Sequence, residues 1–253
     1  MRKFLLALAL VGLGAAAAAA PVVTPGSLTL SGFEYAAPGA TVVGYGVPVS
    51  AGVGGLQASF DDGFGPQSFT VFCIDLFSHA GAFGSSLTYD KIDYSVPDFG
   101  LAGEPAHITE LSKLFTANNG VTSTSAAHSA GLQLAVWEIL YDGFGGSLNT
   151  GNFKDGTLAG SAAETWANTL ISLAQTSYAG YDISVFADDA YRNKPGNQNF
   201  ITATQNFGDS CQLGNDCTVP EPAPLALAGT ALLALALARR QRTGRVIEGN
   251  GQE

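Results

Sequence analysis

The sequence predicts an α+β fold: a β-rich extracellular domain with a few packed helices, flanked by a signal peptide and a C-terminal sorting helix. Three observations point there. Glycine supplies 32 of 253 residues while only 13% are charged, so turns are frequent and Ser, Thr and Asn fill the surface role. Six short runs rich in β-formers are separated by turn signals. Three longer segments instead place apolar residues three and four apart.

In chain order, Met1-Arg2-Lys3 is a basic n-region, Phe4 to Gly14 an apolar h-region and Ala15 to Ala20 a small-residue cleavage zone, so 1–20 reads as a signal peptide. The expected strands are Gly26 to Phe33, Thr41 to Val49, Gly55 to Phe60, Phe69 to Phe77, Leu87 to Tyr94 and Tyr181 to Ala187. Turn signals such as Asp61-Asp62-Gly63 and Ala80-Gly81 stand between them. The expected helices are Ala106 to Thr116, Ser125 to Tyr141 and Gly160 to Thr176. Asn118-Asn119-Gly120 closes the first and Asp142-Gly143 the second. Residues 21–189 therefore form the extracellular domain. Residues 190–218 show little periodicity and read as a loop or stalk, 219–245 carry the sorting signal, and 246–253 form a short cytoplasmic tail.

Between the two hydrophobic ends lie five basic residues against eighteen acidic ones before Pro220. So negative a surface repels nucleic acid and anionic lipid and suits an exported soluble protein. No His-x-x-x-His or carboxylate–histidine cluster appears, so no metal and no cofactor is expected. Calcium is conceivable at Asp61-Asp62 or Asp188-Asp189, but paired aspartates in Gly-rich turns are usually turn formers, and no EF-hand-like loop is present.

The C-terminal end combines a proline motif, Val219-Pro220-Glu221-Pro222, the apolar run Ala223 to Ala238, and the basic cluster Arg239-Arg240-Gln241-Arg242. The prolines keep the approach extended. The apolar run enters a bilayer while the arginines stay on the cytoplasmic side. In this order of parts the tail resembles the PEP-CTERM signal of Gram-negative bacteria. The resemblance implies an exosortase-type processing peptidase as partner, a transient inner-membrane intermediate, and delivery to the cell surface, outer envelope or exopolysaccharide matrix of a biofilm. A plain membrane anchor is the alternative, although the run is short for a span of roughly 20 residues.

Three cysteines in an exported chain leave one over. Cys211 and Cys217 lie close together before the sorting tail, and an oxidising compartment favours a local disulfide between them. Cys73 sits in the apolar run Phe69 to Phe77 and reads as buried on a central strand. Gln133 shares a helix face with Val136, Trp137 and Leu140, where its amide needs partners or its burial costs a few kcal/mol. Either the amide has partners, or a cysteine thiol has displaced its ammonia to form an internal thioester. In Phe72-Cys73-Ile74-Asp75 and Gln133-Leu134-Ala135-Val136-Trp137 the chain resembles the thioester domains of bacterial surface adhesins. That family commonly has threonine just before the glutamine, where this chain has Leu132. The resemblance implies Cys73 as thiol partner and Gln133 as acyl partner, with Asp75 and Trp137 as the surroundings. It also implies covalent capture of an amine or hydroxyl on a surface protein or glycan. This is single-use chemistry, so the chain is expected to be an adhesin and not an enzyme. His79, His107 and His128 are the candidate proton shuttles. The alternative is a non-covalent matrix or glycan-binding module, with Cys73 and Gln133 as core residues and Phe64, Phe83 and Phe144 offered to sugars. A cysteine-peptidase arrangement of Cys73 with His107 or His128 has no supporting local signature.

Overall fold

A computed structural model describes residues 21–94, 107–188 and 197–205. The fold is α+β. Six antiparallel strands close a barrel in the order β1 (Val22–Phe33), β4 (Leu56–Asp61), β5 (Gln67–Cys73), β9 (Phe200–Gln205), β8 (Tyr181–Asp188), β6 (Ser86–Tyr94). The long β1 pairs with β4 along one edge and β6 along the other, with a bulge between Leu30 and Gly32. Beside the barrel lies a three-stranded sheet ordered β3 (Val47–Gly52), β2 (Gly39–Gly44), β7 (Phe153–Lys154). Helices α1 (Ile108–Asn118), α2 (Ala126–Asp142) and α3 (Ala162–Thr176) complete the unit.

The expected run Thr41 to Val49 is two strands and not one. Tyr45 and Gly46, at φ 47° and 80°, form a two-residue hairpin between β2 and β3. Both central residues with positive φ match the right-handed strand twist, and Gly46 makes that turn accessible. The run from Phe69 leaves the ladder at Cys73, so Asp75 lies beyond the strand end. The segment read as a loop or stalk from residue 190 contains β9. Its first four residues are buried because β9 lies between β5 and β8 with both faces covered.

Helix α2 carries the core. Ser125 caps it by accepting from the His128 N–H at 3.2 Å, and every residue from His128 to Ile139 is buried. Its neighbour α3 approaches closely at Gly131, where a Cβ would stand 2.6 Å from Trp166 Cβ and 2.8 Å from the Ala163 carbonyl oxygen. Helix α1 ends at Asn119, φ 59°, with the Gly120 N–H reaching back to Phe115 O at 2.8 Å. Among the described residues no helix is long and apolar enough to cross a membrane. The expected signal peptide, the Cys211–Cys217 pair, Asp189, the sorting signal 219–245 and the tail 246–253 all lie outside the described residues.

Candidate functional site

Cys73 is the last residue of β5. On the β4 side the ladder begins with Leu56 opposite Val71, so two residues further along β5 the Cys73 backbone has no strand partner on that edge. The Gln133 side chain from α2 takes that place. The Cys73 N–H donates to Gln133 Oε1 at 2.9 Å, and Gln133 Nε2 donates to Cys73 O at 2.9 Å. Gln133 is fully buried, and this reciprocal pair satisfies both ends of an amide that would otherwise be costly to bury.

The pairing belongs to a row of residues four apart along α2. Ser129 Oγ accepts from the Gly55 N–H at 2.9 Å, and Tyr141 Oη accepts from the Leu76 N–H at 3.2 Å. Trp137 stands between Gln133 and Tyr141 on the same ridge. The row docks α2 onto the open ends of β4 and β5, on a largely apolar helix.

Cys73, Asp75, His79, Trp137 and Gln198 wall a cavity of about 520 Å³, with β3 and Phe33 across it. The Trp137 indole N–H is buried without a hydrogen-bond partner among the described residues. Phe77 and Phe83 stand half-exposed at the cavity wall. Burial raises the Cys73 thiol well above its ordinary range, and the Asp75 carboxylate pushes it further, so the sulfur is held protonated. Burial also raises Asp75, with the Asn199 N–H pulling the other way. Behind them the Tyr89 hydroxyl donates to Gln198 O at 2.8 Å, and burial followed by Asp188, Cys73 and Asp75 raises it as well.

The structure thus places the Gln133 amide on the Cys73 backbone and lines one cavity with Cys73, Asp75 and Trp137, which of the three histidines only His79 joins. His107 precedes α1 near Glu110, at 3.8 Å. His128 is fixed between Asn118 Oδ1 at 2.6 Å and Thr124 Oγ1 at 3.0 Å, with its ring stacked on Trp166 at 4.4 Å. Burial lowers its basicity. Asp61 and Asp62 spend their carboxylates on backbone N–H groups of their own turn. No cluster suited to a metal occurs among the described residues. Of the candidate sugar-stacking rings, Phe64 is 95% exposed, whereas Phe144 packs against the core.

Sequence reasoning missed Gln198 and Asn199, which hold the segment after Cys73. Gln198 Nε2 donates to Asp75 O at 2.7 Å, and the Asn199 N–H donates to Asp75 Oδ2 at 3.0 Å. Their segment gave no periodicity to read. The polar row at Ser129, Gln133 and Tyr141 was a usable signal: hydrogen-bonding residues at a spacing of four and eight on an apolar helix.

No curated protein matches the chain. Among solved structures, the N-terminal thioester domain of a surface protein from Clostridium perfringens is similar at 16% identity and a TM-score of 0.43, covering 72% of this chain and 100% of its own. A cysteine-to-alanine mutant of that domain is similar at 17% identity and a TM-score of 0.38, covering 59% of this chain and 89% of its own. Residues 218–241 match the PEP-CTERM protein-sorting motif, so the chain carries the signal of an exported, surface-directed protein.

Proposed function

We propose that the exported domain is a covalent adhesin in which Cys73 and Gln133 form an internal thioester. The observation that carries this reading is the docking of the Gln133 amide on the backbone of Cys73, a residue that lines a cavity. The Cys73 N–H polarises the very carbonyl that the thiol would attack. Once formed, the thioester is an acyl donor. An amine or hydroxyl on a surface protein or glycan attacks the Gln133 carbonyl, becomes acylated and releases the Cys73 thiol. The half-exposed Phe77 and Phe83 offer apolar contact to the approaching target. The chain acts once and does not turn over. The sorting signal fits this role, with an exosortase-type peptidase processing the tail at the inner membrane and exopolysaccharide among the surroundings at the destination. A disulfide between Cys211 and Cys217 would close a small loop before the tail.

Intact mass of the secreted protein tests the reading. The thioester form is one ammonia lighter than the sequence after allowing for the disulfide, and Cys73→Ala restores the full mass. Methylamine should add to the wild type at Gln133 and leave Cys73→Ala unchanged. An unmodified wild-type mass under gentle preparation would sink the idea. One observation favours a second reading. The Gln133 amide has a hydrogen bond at both its oxygen and its nitrogen as it stands, which suits a purely structural clamp in a non-covalent glycan-binding module. Under that reading the mass is unmodified and Phe64 and Phe83 carry the binding.

A further inference from the structure

We propose that the Asp75 carboxylate is the proton acceptor for the Cys73 thiol when its sulfur attacks Gln133; this rests on the thioester reading above. A buried, protonated thiol is a poor nucleophile toward an amide, so closure of the bond needs a base at hand. Among the described residues, three titratable groups stand near the sulfur besides its own. The Tyr89 hydroxyl from β6 is engaged as a donor to Gln198 O and is no base. His79 lies six residues further along the chain from Cys73 and is exposed. Asp75 lies two residues from Cys73, walls the same cavity, and is the charged group whose field the thiol feels.

The carboxylate is also held for the task. Asn199 N–H fixes one oxygen, Oδ2, while Gln198 ties down the backbone carbonyl of the same residue. The second oxygen accepts no hydrogen bond among the described residues and is left to receive a proton. Among the described residues the titratable groups around Asp75 are Cys73 from β5, Tyr89 from β6 with Asp188 at the end of β8 near it, and His79 on the same cavity, and no described lysine or arginine lines that cavity. Burial disfavours the charged form, so this half-buried carboxylate is a stronger base than one in water, as the upward shift of Asp75 reflects.

The step balances without a co-reactant. The Sγ–H proton passes to Asp75 as the sulfur bonds to Cδ of Gln133, and the Cys73 N–H supports the charge gathering on Oε1. The C–N bond then breaks, Asp75 returns the proton to the departing Nε2, and ammonia leaves. Asp75 ends as the carboxylate it was.

The test uses the exported protein. Wild type is opened with ammonia, which restores the Gln133 amide and the free thiol. The ammonia is then removed, and reclosure is followed by intact mass from mildly acidic to mildly alkaline pH. The expected wild-type rate rises with pH and then levels off once Asp75 is ionised. Asp75→Asn should reclose at least tenfold more slowly, and Asp75→Glu should recover part of the rate. A wild type that never lacks ammonia overturns the thioester reading and this proposal together. A wild type that lacks it, with Asp75→Asn closing as fast, overturns the proposal alone. If Asp75→Asn does not fold, the wild-type profile decides. A rate that keeps climbing about tenfold per pH unit means direct titration of the thiol and overturns the role of Asp75.

Discussion

Glu138 is fully buried one residue from Trp137, and neither of its carboxylate oxygens has a hydrogen-bond partner among the described residues. Burial, then Asp142 and Asp155, pushes it up to about 7 from 4.5. Asp155 is pushed up to about 6 from 3.8 by burial and Glu164, against a backbone hydrogen bond. Both acids are favoured in their neutral form when folded. Their stability is complete below the unfolded values and is lost as pH rises through the folded ones, between about 4 and 7. Urea midpoints should fall across that window, and Glu138→Gln should flatten the fall by roughly 1–3 kcal/mol. An unchanged slope in the variant would assign the pH dependence elsewhere. Nothing in the sequence marked Glu138 out, because a charged residue on a helix is ordinarily a solvated one. The pairing of Cys73 with Gln133 was legible at this scale for the opposite reason. A glutamine among apolar neighbours has to meet something polar, and the backbone at a strand end is polar.

At the scale of elements, the three helices were readable from their spacing and stop signals to within two residues, because caps such as Ser125 and Asn119 are local chemistry. The hairpin at Tyr45-Gly46 was not read, since tyrosine is a strand former and its positive φ is set by pairing across the turn. Close packing of α2 on α3 leads to a further prediction. Gly131→Ala would place a methyl against the Ala163 carbonyl, which belongs to backbone and yields little. The variant should lose about 1–3 kcal/mol in denaturant unfolding. Because α2 also carries Gln133, the yield of the proposed thioester should fall with stability. A neutral result would mean that α3 slides freely on α2.

For the whole molecule, β9 decides where the folding unit ends. It closes the barrel between β5 and β8, although the sequence around it reads as a loop or stalk. Its neighbours, not its own pattern, make it a strand, and pairing between distant segments is invisible to local periodicity. A chain ended after Ser210 should therefore unfold cooperatively with the same midpoint as the longer protein. A chain ended before Gln198 should expose the edges of β5 and β8 and aggregate. Equal stability of the two truncations, read by circular dichroism and light scattering, would remove β9 from the fold.

The same strand has a mechanical consequence. The chain continues from Gln205 toward the sorting tail, while the Cys73 end of the ladder is paired to Phe200. A pull transmitted along the chain from that tail meets Gln205 first. It then has to work through the rungs that join Tyr181–Phe186 to β9 before it reaches Phe200. Under tension between the proposed attachment site and the tail, the barrel would yield at its far rungs first, with the Cys73 end of β5 among the last places to feel the load.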